Sequence, residues 1–131
     1  MQAEQIRQIA AEALEEIKAR DVAVLDTVKL TSLFDFMIVA TADSVRQTKA
    51  LAGNVAEKIK AAGGQVLGIE GEQAGEWVLV DLGSVIVHIM LPAAREYYNL
   101  EQLWGGPAPR RVSGARRGAD LRTLDTGVAR P

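Results

Sequence analysis

With 131 residues, 48% of them hydrophobic and 24% charged, the chain has the size and make-up of one soluble globular domain, able to bury roughly two thirds of its unfolded surface. It has no cysteine, which excludes disulfides, thiolate nucleophiles and Cys-based zinc sites; Val85 to Leu91, an apolar stretch broken by His88, falls far short of the roughly 20 residues of a membrane span. The net charge of -2 conceals two unlike parts: 9 Lys and Arg against 15 Asp and Glu through Trp104, net -6, then 6 Arg against 2 Asp from Gly105 on, net +4. Residues 1–104 are therefore expected to form the domain. Residues 105–131, rich in Gly, Pro and Arg, are expected to be a disordered basic tail whose charge suits non-specific contact with nucleic acid. The opening MQAEQIRQIA carries acid early and has no basic-then-apolar order, so no secretory signal is readable and the expected location is the cytoplasm.

Taken in order, residues 2–19 set Ile6, Ile9, Ala10, Ala13, Leu14 and Ile17 on one stripe of an amphipathic helix. Val22–Val28 and Phe36–Thr41 are β-branched or aromatic runs and predict a hairpin. Ser44 followed by Gln47 has capping-box spacing, so a second helix starts there, carries Leu51, Ala52, Val55 and Ile59 on its apolar stripe, and stops at Gly63-Gly64. Val66–Ile69 is a third strand candidate. Glu76–Leu91 divides at Gly83-Ser84 into two strands, with Leu82 opposite Val85. Alternation then puts Val78, Val80, Leu82, Val85, Val87 and Ile89 on one face and Trp77, Leu79, Asp81, Ile86, His88 and Met90 on the other. Pro92 ends the last strand, and a short helix and a further turn follow. The order α-β-β-α-β-β-β-α predicts a single α/β (α+β) domain, a mixed sheet flanked by helices.

The chemistry on offer is sparse. One His and no Cys leave only a carboxylate-rich metal site, for which Glu70-Gly71-Glu72 is the close acidic pair at strand spacing. An exposed acidic turn is the plainer account of Glu70-Gly71-Glu72. Ser84 and His88 would stand roughly 13 Å apart on one strand, too far for a nucleophile and its base. Asp81 and His88 on one sheet face would suit an acid–base pair, or His88 simply bonds locally. No Walker loop or GxGxxG turn occurs. The acidic domain would repel a phosphate backbone and suits a basic protein partner, for which Tyr97, Tyr98, Leu100, Leu103 and Trp104 supply interface anchors or a core cap.

The motifs Gly68-x-Glu70-Gly71, Trp77-Val78-Leu79-Val80-Asp81, Val87-His88 and Tyr98-x-Leu100-Glu101-x-Leu103-Trp104 occur with the order and spacing of one family. Over residues 4–105 the chain resembles the ribosomal silencing factor (RsfS, Iojap) family, with Ala42-Asp43-Ser44 where Gly-Thr-Ser is common. The resemblance implies a nucleotidyltransferase-like topology without catalytic, cofactor or metal residues. It also implies binding to the large ribosomal subunit through large-subunit ribosomal protein fourteen, a steric block to small-subunit joining, and a tendency to homodimerise. The alternatives are a vestigial nucleotidyltransferase using Glu70, Glu72 and Asp81 around Mg²⁺ and a homodimeric adaptor with indirect ribosome contact. The residues expected at the partner are Trp77, Asp81 and His88 on the hairpin and Tyr97, Tyr98, Leu103 and Trp104 after it.

Overall fold

The computed structural model describes residues 1–105; the expectations placed on 106–131 lie outside the described residues. In chain order come α1 (Ala3–Glu16), β1 (Arg20–Asp26), β2 (Phe36–Thr41), α2 (Val45–Ala61), β3 (Gly68–Glu70), β4 (Trp77–Asp81), β5 (Val85–Met90), α3 (Pro92–Tyr98) and α4 (Leu100–Leu103). The strands form one sheet in the order β1-β2-β5-β4-β3, mixed as the sequence predicts: β2 and β5 run parallel at its centre, and every other neighbouring pair is antiparallel. That placement explains β2. A central strand covered on both faces reads as an unbroken apolar run, and all of Phe36–Thr41 is buried.

α1 and α2 lie on one face. Ile6, Ala10, Ala13 and Leu14 of α1 meet Leu51, Ala52, Val55 and Ile59 of α2 over Ile38, Val78, Val80, Val85, Val87 and Ile89 of the sheet. The hairpin register is the predicted one: Leu82 N–H reaches the Val85 carbonyl at 3.0 Å, and Trp77 pairs with Met90 through to Asp81 with Ile86. Gly83, at φ 87°, supplies the left-handed turn residue that a side chain would resist. The opposite face carries a smaller cluster of Leu25, Met37, Val39, Met90 and Leu100, fringed by Phe34, Trp77, Tyr98 and Trp104.

Several boundaries differ from the sequence expectation. α1 stops at Glu16 because Lys18 turns left-handed at φ 65°, although Ile17 and Ala19 still pack on the core. β1 covers 20–26 instead of 22–28, with a bulge between Arg20 and Ala23 beside Asp21 at φ 49°. Thr27 N–H closes the hairpin on the Asp35 carbonyl, so Val28 falls in the loop. β3 begins at Gly68, two residues later than expected, because its antiparallel partner β4 ends at Asp81, which pairs with Gly68; Leu67 N–H still reaches the Asp81 carbonyl at 2.8 Å. At the α2 start, Ser44 Oγ accepts the Gln47 N–H at 3.1 Å, while Gln47 Oε1 accepts from Asp43 N–H at 2.7 Å, one residue before the capping-box position. Gln47 Nε2 in turn donates to the Ile17 carbonyl at 3.0 Å, which ties the end of α1 to the start of α2.

Candidate partner interface

The predicted partner residues divide into two groups in space. Trp77 on β4 and His88 on β5 stand diagonally across the sheet, and the Trp77 indole N–H donates to His88 Nδ1 at 2.9 Å. Tyr98, at the end of α3, lies over Trp77 with ring centroids 4.6 Å apart, and Tyr97 meets Tyr98 edge-on at 4.9 Å. Trp104, just after α4, packs tilted against Phe34 at 5.3 Å. The α3–α4 elbow therefore carries the aromatic residues onto the sheet face the sequence had left open, over Trp77 and Met90.

Asp81 belongs elsewhere. Its Oδ1 accepts the Gly83 N–H at 2.9 Å and shapes the hairpin turn, so the carboxylate is engaged there while His88 is bonded to Trp77. The acid–base pair the sequence suggested is not formed, because the turn takes the Asp81 carboxylate and the indole takes the imidazole. His88 is 4% exposed, and burial pushes its pKa down to about 4, so it is neutral at physiological pH. It supports the face from beneath and does not project from it. Among the described residues no three His, Asp or Glu side chains gather where they could hold a metal ion, so Glu70, Glu72 and Asp81 do not come together as the Mg²⁺ alternative needs.

Accessibility separates the remaining candidates. Tyr97 is 45% and Leu103 37% exposed, whereas Trp77, Tyr98 and Trp104 are half-buried. The first pair projects from the elbow and the second group anchors it. Leu79, Asp81 and Ile86 complete a half-covered strip along the same sheet face.

Three features escaped the sequence reading. Phe34 sits in a loop with no periodicity to mark it, yet it is the ring under Trp104. Val28, Leu30 and Leu33 of the same loop are all more than half exposed. Arg95 on α3 forms a bidentate ion pair with Glu101 on α4 at 2.8 and 3.0 Å, both side chains about nine-tenths buried. A helix break separates the two residues, so helical i,i+4 spacing gave no signal.

A family profile described as "Ribosomal silencing factor during starvation" matches residues 1–127. The chain belongs to the ribosomal silencing factor family. One relative, "Ribosomal silencing factor RsfS" of Chromobacterium violaceum, is 56% identical over 117 residues, covering 89% of this chain and 96% of that protein. Another, "Mitochondrial assembly of ribosomal large subunit protein 1" of Mus musculus, is 32% identical over 94 residues, covering 70% of this chain and 41% of that one. Among solved structures, an X-ray structure of a Chromobacterium violaceum protein superimposes with a TM-score of 0.82 at 56% identity, covering 88% of this chain and 98% of that chain. Family membership ties translation regulation and the ribosome to this fold. Among the described residues, the aromatic elbow and its sheet face set the exposed side chains of Tyr97 and Leu103 beside packed rings.

Proposed function

We propose that this ribosomal silencing factor family member binds the large ribosomal subunit through large-subunit ribosomal protein fourteen and, by occupying the face where the small subunit docks, blocks subunit joining and represses translation in the cytoplasm. Nutrient shortage and large-subunit maturation are the two settings in which such a block would act. The reading requires affinity and bulk, with no bond made or broken, and is therefore non-enzymatic. An interface of ordinary size, about 800 Å² per partner, is enough to cover a docking surface.

The observation that carries the reading is the elbow. Tyr97 and Leu103 project beside the half-buried rings of Tyr98 and Trp104, an arrangement of exposed contacts on packed aromatic anchors that suits a protein interface. The surplus of six negative charges through Trp104 favours a basic partner and opposes direct contact with a phosphate backbone. The name of the mouse relative, which speaks of large-subunit assembly, points the same way.

Sedimentation of the purified protein with isolated large and small ribosomal subunits tests the reading. Co-sedimentation with the large subunit and loss of the joined peak on raising magnesium is the expected outcome. Absence of binding at low salt, or binding that leaves the joined peak intact, would refute it. Crosslinking on the purified large subunit distinguishes direct contact with protein fourteen from a bridged contact through a homodimer.

A further inference from the structure

α3 is a seven-residue helix with no fully buried residue, and only Ala94 and Tyr98 of it pack, half-buried, on the second cluster. Such non-directional apolar contact holds the helix on the sheet but does not fix its angle, whereas the polar contacts of Arg95 do. Its guanidinium gives Nε and Nη2 to the two Glu101 carboxylate oxygens at 3.0 and 2.8 Å, and Nη1 to the Asp21 carbonyl at 2.6 Å and the Thr41 hydroxyl at 2.8 Å. One side chain thus joins α3, α4, the bulge of β1 and the end of β2. The ion pair also spans Asn99, whose left-handed conformation (φ 50°, ψ 52°) makes the bend between α3 and α4. The angle of that bend decides whether Tyr97 on one arm and Leu103 and Trp104 on the other face the same way.

We propose that Arg95 is a positioning residue for partner binding: its forked pair with Glu101, seated on Asp21 and Thr41, holds the α3–α4 elbow at the angle that presents Tyr97, Leu103 and Trp104 as one surface. The inference rests on the reading that this surface meets the large ribosomal subunit. A planar guanidinium bonded at both ends to a carboxylate fixes orientation as well as distance, which an ammonium or an apolar contact does not. Replacing a buried ion pair by apolar side chains of similar volume commonly preserves folding, so orientation can be removed without removing the domain.

The test compares full-length wild-type protein, the double variant Arg95→Met with Glu101→Leu, and Arg95→Lys. Far-UV circular dichroism and thermal melting follow the fold, near-UV circular dichroism follows the tyrosine and tryptophan environments, and titration of isolated large ribosomal subunits follows affinity. The double variant is expected to keep the wild-type far-UV spectrum, change its near-UV spectrum and bind at least tenfold more weakly, with Arg95→Lys in between. A double variant with wild-type near-UV spectrum and affinity overturns the inference, as does weakened binding with an unchanged near-UV spectrum, since the charge would then act on the partner directly. If the double variant does not fold, the same two outcomes in Arg95→Lys decide the matter. Wild-type protein that fails to bind the large subunit refutes the proposed function itself, whereas wild-type binding with indifferent variants refutes only the role of Arg95.

Discussion

The indole N–H of Trp77 donates to Nδ1 of His88 at 2.9 Å, across two strands that pair antiparallel. The bond requires the tautomer of His88 that carries its proton on Nε2, and it is lost when Nδ1 is protonated. Because burial lowers the folded-state pKa to about 4 from 6.5, the unfolded chain binds the proton first as pH falls. Stability contributed by neutral His88 is complete above about pH 6.5 and declines between there and about pH 4. Urea unfolding at pH 7.5 and 5.0 should therefore differ by about 2 kcal/mol from this group alone. His88→Leu should reduce that difference, and an undiminished pH dependence in the variant would place its origin elsewhere.

Gly71 closes the acidic turn between β3 and β4 at φ 86°, and a Cβ there would stand 2.1 Å from the Trp77 carbonyl oxygen. Both the left-handed conformation and the close approach of backbone oppose a side chain. Gly71→Ala should cost more than about 2 kcal/mol of unfolding free energy, read from the urea midpoint. A loss under about 0.5 kcal/mol would mean that the turn relaxes freely.

Exposure predicts a division of labour on the elbow. Tyr97→Ala and Leu103→Ala remove exposed side chains, so each should change stability by less than about 1 kcal/mol while weakening large-subunit binding by more than about 1 kcal/mol. Trp104→Ala and Tyr98→Ala remove rings packed on Phe34 and Trp77, and should lower stability as well as affinity. Parallel melting and subunit titration of the four variants checks the division; Tyr97→Ala and Leu103→Ala proteins that bind like the wild type would remove this surface from the interface.

Gln47 joins two helices through one amide. Its carbonyl takes the Asp43 N–H and its NH₂ group gives to the Ile17 carbonyl, so Gln47→Leu leaves both backbone groups without these partners. A loss of about 1–2 kcal/mol is expected in urea unfolding, with Ser44→Ala, which removes only the cap on the Gln47 N–H, costing about 1 kcal/mol. A loss under about 0.5 kcal/mol in Gln47→Leu would show that the tie to α1 adds nothing.

Much of the fold was written in local pattern. The alternation from Trp77 to Met90 settled strand faces and register together, because a slip of one residue would have turned Val78, Val80, Val85 and Val87 to the wrong side. The stripes of α1 and α2 were equally plain, since each buries one face of an amphipathic helix on the same sheet. The cap at Ser44 was legible for a related reason: a helix start has free N–H groups that a nearby hydroxyl satisfies.

The candidate site was legible as a set of residue types and not as an arrangement. Trp77, Tyr97, Tyr98 and Trp104 stand out by size, but their sequence positions do not reveal that Tyr98 covers Trp77 or that Phe34 supports Trp104. Whether His88 pairs with Asp81 or bonds elsewhere was undecided at that level, and the folded chain assigns Asp81 to the hairpin turn and His88 to the Trp77 indole.

The sequence by itself determined the sheet faces, the helix stripes and the separation of an acidic part from a basic one, because these depend on near neighbours and on charge. Only the tertiary structure decided the strand order, the Trp77–His88 bond and the seat of Arg95 between Asp21, Thr41 and Glu101. Those contacts join residues from 6 to 74 positions apart, and their formation depends on a backbone path that no local spacing encodes.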